Sequence, residues 1–148
     1  IGIRQQEYTF RVDTKVEPFD SSFAKAGLLY IHSDDNYLTL MISNDGTNQV
    51  VIATKNEKGA ITTLGECNLG PVWNTGAKEG ITLSLVGNRR KASLYANDVL
   101  VANEIDTAFL SSELAGGFVG CTYGPYTTTS DEADAPRIHF TDWVITYP

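Results

Sequence analysis

The sequence predicts an all-β chain folded as an antiparallel β-sandwich, and three observations predict it. Apolar and polar residues alternate with a period of two along most of the chain. Turn-forming clusters separate these runs at short intervals, as in Ser33-Asp34-Asp35-Asn36, Asn44-Asp45-Gly46, Lys58-Gly59 and Asn97-Asp98. Only Asp106 to Leu114, with Phe109, Leu110 and Leu114 apolar, has the spacing of a helical turn, and one such turn does not change the class.

Each expected strand follows from its pattern. Tyr8, Phe10 and Val12 alternate with Glu7, Thr9, Arg11 and Asp13, as in a half-buried strand. Ala26 to His32 forms a second strand, ended by the polar turn at Asp34 and Asp35. In the third, Tyr37 to Ser43, one face carries Leu38, Leu40 and Ile42 and the other Tyr37, Thr39 and Met41. The Asp45-Gly46 pair leads into Gln49 to Thr54, and Lys58-Gly59 leads into Ala60 to Glu66. Asp-Gly between alternating runs is a hairpin signal because type I′ turns need φ > 0. Ile81, Leu83 and Leu85 alternate with Thr82, Ser84 and Val86. A turn at Gly87-Asn88 then leads to Ala92 to Ala96, and Asn97-Asp98 leads to Val99 to Ala102. Phe118 to Tyr123 and Arg137 to Tyr147 complete about ten short strands, the pattern of a sandwich or barrel.

The 148 residues suit one domain with a core large enough to need no staples. Eleven basic against 18 acidic residues give a net charge of −7, which argues against a phosphate-binding surface and hence against nucleic acid. The basic run Arg89-Arg90-Lys91 is short and lies at an expected turn. No apolar stretch approaches the length of a membrane-spanning helix. Cys67 and Cys121 belong to no CxxC or Cys/His cluster, and two readings stay open for them: buried free thiols, or one disulfide joining two strands. A start at Ile1 and an end at Pro148, directly after an apolar run, read as a single module, residues 1–148, cut from a longer polypeptide.

Catalysis finds no constellation in this sequence. Glycoside hydrolysis needs two carboxylates facing each other across a sugar. Asp34, Asp35, Asp45, Asp98 and Asp131 all fall in expected turns, where Asp bonds its own backbone. There is no GxSxG elbow, and the only two histidines, His32 and His139, lie far apart in the chain.

Sugar binding fits the composition better. Pyranose rings present C–H faces that stack on aromatic rings, while their hydroxyls bond to polar side chains. Seven Tyr and two Trp supply such platforms. Tyr30, His32, Tyr37 and Thr39, with Tyr95, are expected to point away from the core and form an aromatic strip on one sheet face. The plainer alternative is that these tyrosines are strand formers whose rings pack while their hydroxyls stay wet. Trp73, in the loop Gly70 to Gly76, is a candidate rim contact, because loops on a rigid sandwich commonly carry function. Trp143, amid apolar strand residues, is expected in the core. Asp142 on the last strand and Glu7 on the first are candidate ligands for a structural Ca²⁺, a hard cation that prefers oxygen donors. An ordinary solvated or hydrogen-bonded Asp142 is the alternative.

Three stretches resemble one family. Gly2-Ile3-Arg4-Gln5-Gln6 is similar to the segment that opens the C-terminal concanavalin-like module of glycoside hydrolase family 43 enzymes. Ala26-Gly27-Leu28-Leu29-Tyr30, followed by Asp34-Asp35-Asn36-Tyr37-Leu38, resembles that module's Ala-Gly-Leu strand and Asp-Asn-Tyr turn. Leu110 to Gly120, then Gly124-Pro125-Tyr126 and His139-Phe140-Thr141-Asp142-Trp143, match its remaining landmarks in order. Thr141 is inserted into the usual Phe-Asp pair, which suggests a bulge, and Pro125 stands where Met is usual. The resemblance implies a concanavalin/laminin-G-like jelly-roll beside a five-bladed propeller that carries the catalytic carboxylates. It implies a non-catalytic module of a β-xylosidase or α-L-arabinofuranosidase type of enzyme, secreted or at the cell surface. Its partners are then a polysaccharide or oligosaccharide, whether xylan, arabinan, another hemicellulose or a fructan, and the catalytic domain of the same parent chain. Two roles follow: binding sugar on exposed aromatics, or docking on the propeller and shaping its active-site entrance.

Overall fold

The computed structural model describes residues 2–3, 9–17, 25–44, 48–71, 79–88, 90–110, 117–124 and 140–146. Its strands are β1 (Gly2–Ile3), β2 (Thr9–Val16), β3 (Lys25–Ser33), β4 (Asn36–Asn44), β5 (Asn48–Glu57), β6 (Ala60–Pro71), β7 (Ile81–Asn88), β8 (Lys91–Ala96), β9 (Val99–Asp106), β10 (Gly117–Gly124) and β11 (Phe140–Thr146). A short 3₁₀ turn at Ala108–Leu110 follows β9, inside the segment expected to form a helical turn. Two sheets result, one in the order β1-β10-β3-β4-β5-β6 and the other in the order β11-β2-β7-β8-β9. Every pairing is antiparallel. The all-β sandwich follows from the sequence's alternation.

The hairpin residues do what their backbone angles require. Asn97 and Asp98 have φ of 47° and 64°, the left-handed pair of a type I′ turn between β8 and β9. The Asn97 N–H donates to the Thr82 carbonyl at 2.8 Å, and the Asn97 Oδ1 accepts from the Thr82 N–H at 2.9 Å, tying this hairpin to β7. Lys58 and Gly59, at φ of 54° and 87°, make the same kind of turn between β5 and β6. Here the Lys58 N–H donates to Asn36 Oδ1 at 3.1 Å and the Gly59 N–H to the Asp35 carbonyl at 3.2 Å. The β3–β4 and β5–β6 turns are thereby locked side by side. β7 runs through Asn88, so the reversal expected at Gly87-Asn88 falls later, with Arg90 at a φ of 65°.

The inward residues of the two sheets interleave as one core. From the six-stranded sheet come Leu28, Leu38, Leu40, Ile42, Val51 and Ala53, and from the other Val12, Val16, Leu83, Leu85 and Leu94, all essentially fully buried. Tyr30 belongs here as well, at 2 % exposure, and this corrects its expected place on the surface. Register explains it: Tyr30 lies opposite Leu38, and Leu28 opposite Leu40, so the even positions of β3 face inward. At β6, a Cβ on Gly65 would sit 2.0 Å from the Val101 carbonyl oxygen, so glycine there lets β6 approach β9 across the sandwich.

β11 departs from simple alternation. Its pairing with β2 shifts between Thr141 and Val144, and Asp142 has a φ of 53°. This is the irregularity that the inserted Thr141 suggests. It also overturns the expected burial of Trp143, which is 40 % exposed because the bulge breaks the inward parity on an edge strand.

The cysteines cannot pair within the chain. Cys67 lies on β6 and Cys121 on β10, with β3, β4 and β5 between them. Four strand spacings put their Cα atoms about 19 Å apart, far beyond the reach of a disulfide. Cys67 is a free thiol that packs partly against the core.

Candidate functional site

The outer face of the six-stranded sheet carries a groove of about 390 Å³ across β3, β4, β5 and β6. Register builds it row by row, since directly opposed residues share a face. One row runs Ile31, Tyr37, Asn56, Ile61. The next runs Leu29, Thr39, Thr54, Thr63, and the third Gly27, Met41, Ile52, Glu66. Lys25 and Ser43 begin a fourth, and Asp34 stands at the opposite end in the β3–β4 turn.

The groove is an apolar bed with polar groups at defined places. Leu29, Ile31, Met41, Ile52 and Ile61 supply aliphatic surface, and Tyr37 is the aromatic ring among the lining residues. The hydroxyls of Thr39 and Thr54 hydrogen-bond to each other across β4 and β5. Lys25 adds a cation, Asp34 a carboxylate and Ser43 a hydroxyl at the ends. A half-open apolar surface with a few placed hydrogen-bonding groups is the usual composition of a small-ligand site.

The sequence-derived candidates do not gather in one place. Tyr37 and Thr39 line the groove. Tyr30 faces the core behind the same sheet, its ring stacked on Phe10. His32 is half-buried where the β3–β4 register shifts and is not part of the groove lining. Tyr95 does point outward, but on β8 of the other sheet, opposite Ser84 and Leu100. The single aromatic strip is therefore corrected to two separate faces. Trp73 and Glu7 lie outside the described residues. Asp142 is exposed on the β11 bulge. Among the described residues no group of three His, Cys, Asp or Glu side chains is placed to hold a metal. One exposed carboxylate does not by itself supply the six to eight oxygens that Ca²⁺ takes.

The face around Tyr95 is organised differently. Arg11 Nε donates to Asp13 at 2.9 Å, and the buried Ser84 hydroxyl donates to the same carboxylate at 2.5 Å. Arg11 also approaches Asp98 at 3.6 Å. These charges are already paired with one another.

The sequence pattern alone does not single out the groove residues of β5 and β6, namely Ile52, Thr54 and Ile61. The Asp45-Gly46 turn signal carries the parity of β5 but not its register, since a two-residue turn would pair Asn44 with Thr47, whereas Asn44 pairs with Gln49. The observed register, shifted by two from that expectation, puts Thr54 beside Thr39 and Asn56 beside Tyr37.

Solved structures share this architecture. The GH43 protein BlXynB from Bacillus licheniformis is 21% identical, with a TM-score of 0.73 over 99% of this chain and 28% of that one. A xylan β-1,4-xylosidase from Bacillus halodurans C-125 is 19% identical, with a TM-score of 0.70 over 95% of this chain and 29% of that one. The carbohydrate-binding module CBM66 from Bacillus subtilis is 16% identical, with a TM-score of 0.60 over 93% of this chain and 74% of that one. At these identities the likeness is one of fold. The chain spans under a third of the length of BlXynB and of the Bacillus halodurans xylosidase. No curated protein matches it in sequence. Residues 1–145 match the family model of the β-xylosidase C-terminal concanavalin A-like domain of GH43 enzymes, and the chain belongs to that family.

Proposed function

We propose that this chain is a carbohydrate-binding accessory module of a larger glycoside hydrolase acting on plant polysaccharide, and that saccharide lies in the groove of the six-stranded sheet. The domain is the non-catalytic C-terminal kind, the catalytic part of such enzymes being a separate N-terminal propeller. The observation that carries the proposal is the groove itself, with Tyr37 beside an aliphatic bed and Lys25, Asp34 and Ser43 at its ends. A sugar's C–H face can stack on the Tyr37 ring and the neighbouring aliphatic carbons while its hydroxyls reach the polar ends. The shared fold with CBM66 supports this reading.

A specific observation favours a second reading. Five lining side chains are aliphatic, and Ile61 is 67 % exposed. Such a face also suits docking against the propeller of the parent chain, where it would shape the active-site entrance without holding sugar. Affinity electrophoresis of the chain through xylan, arabinoxylan, arabinan, levan and β-glucan separates the two. Retardation by one polysaccharide, weakened in Tyr37→Ala, supports binding in the groove. Free migration through all five supports docking. Repeating the gels with a chelator tests the Ca²⁺ expectation at Glu7 and Asp142, which predicts weaker retardation or a lower melting temperature on chelation.

A further inference from the structure

We infer that Asn56 is a specificity-determining residue beside the groove, a carboxamide whose Oδ1 accepts a hydrogen bond from a hydroxyl of bound saccharide next to Tyr37. The inference rests on the carbohydrate reading of this face. Asn56 stands between Tyr37 and Ile61 in the outermost row, and both neighbours line the groove. Its own side chain is 6 % exposed, and its Oδ1 is buried with no hydrogen-bond partner. Asn56 is not itself a lining residue but lies buried between two that are, and since buried acceptors are almost always paired, an orphan beside a ligand groove calls for a donor from outside.

The surroundings argue for a ligand hydroxyl. The adjacent pair Thr39 and Thr54 already engage each other. The other orphaned amide, Gln49, lies opposite Asn44 on the inward parity of β5 with Val51 and Ala53, and so belongs to the core. Among the described residues, Asn56 alone combines an unpaired buried acceptor with a place in the groove rows. Ile61, exposed on the edge strand β6, is free to turn aside and open the approach to Oδ1. A ring stacked on Tyr37 would then present an equatorial hydroxyl toward Asn56. A site that hydrogen-bonds a hydroxyl rejects analogues that lack it, because the buried partner is left unpaired again.

The test runs wild type, Tyr37→Ala, Asn56→Ala and Asn56→Leu through the same five polysaccharide gels, with melting curves for each. The expected result is retardation of wild type by at least one polysaccharide. Both Asn56 variants should bind it about tenfold more weakly, equivalent to about 1.4 kcal/mol, while melting close to wild type. Unchanged retardation of folded Asn56 variants, with Tyr37→Ala still impaired, overturns the role of Asn56 and leaves the groove reading standing. Free migration of wild type overturns both. A large fall in melting temperature for Asn56→Ala and Asn56→Leu alike assigns Asn56 to structure and overturns the proposal.

Discussion

Tyr30 and Phe10 stack across the sandwich, ring centroids 6.2 Å apart and planes inclined by 22°. One ring comes from β3 of the six-stranded sheet and the other from β2 of the five-stranded sheet, so the pair fastens the two layers together. Stacked aromatic pairs contribute beyond the area they bury. Tyr30→Ala should therefore destabilise the fold by about 3–5 kcal/mol in urea denaturation, as for other buried aromatic truncations. Any retardation of the surviving folded fraction on a polysaccharide gel should be unaltered, because the ring faces away from the groove.

Tyr37, seven positions on, should behave in the opposite way. It is half-buried on the outer face, beside aliphatic groove residues rather than within the core. Tyr37→Ala is expected to leave the melting temperature nearly unchanged and to weaken polysaccharide binding by about 1 kcal/mol, the usual loss for an aromatic contact. A large drop in stability with binding intact would place the ring's role in packing.

The contrast between these two tyrosines shows what the sequence conveys. In β4, Leu38, Leu40 and Ile42 are apolar and Thr39 and Ser43 polar, so the inward parity is plain from the residues. In β3 both parities are apolar, with Leu28 and Tyr30 on one side and Leu29 and Ile31 on the other. Alternation then identifies a strand without saying which face is the core. The reason both faces of β3 are apolar is the groove, whose bed needs Leu29 and Ile31. The fold class was legible because turns and alternation are local. The site was only partly legible because it is assembled by register across four strands.

Trp143 tests the consequence of the bulge. Had the ring been in the core, its removal would cost several kcal/mol. It is 40 % exposed on edge strand β11, next to the register shift. Trp143→Ala should cost no more than about 1 kcal/mol in denaturant unfolding, near the range of surface substitutions. A loss of 3 kcal/mol or more, on the scale of buried aromatic truncations, would show that the ring is packed after all.

Reduction should leave stability untouched. Cys67 is a free thiol, and β6 is separated from the strand of Cys121 by three others. The melting temperature with and without dithiothreitol should coincide, and the denatured chain should titrate two thiols. A reductant-sensitive melting temperature would require the strand order to be different.

Asn97 joins backbone conformation to a side-chain bond, and two substitutions separate the contributions. Its φ of 47° lies in the left-handed region, where a Cβ is costly and Asn is better tolerated than most residues. Its Oδ1 also accepts from the Thr82 N–H at 2.9 Å, holding the β8–β9 hairpin against the start of β7. Asn97→Gly removes the bond but keeps the conformation, and should cost about 1 kcal/mol. Asn97→Ala removes the bond and adds left-handed strain, for about 2–3 kcal/mol in all. The ordering is the diagnostic: denaturant unfolding should find alanine clearly worse than glycine. Equal losses would mean that the hydrogen bond to Thr82 carries the whole effect and the turn's left-handed backbone none of it.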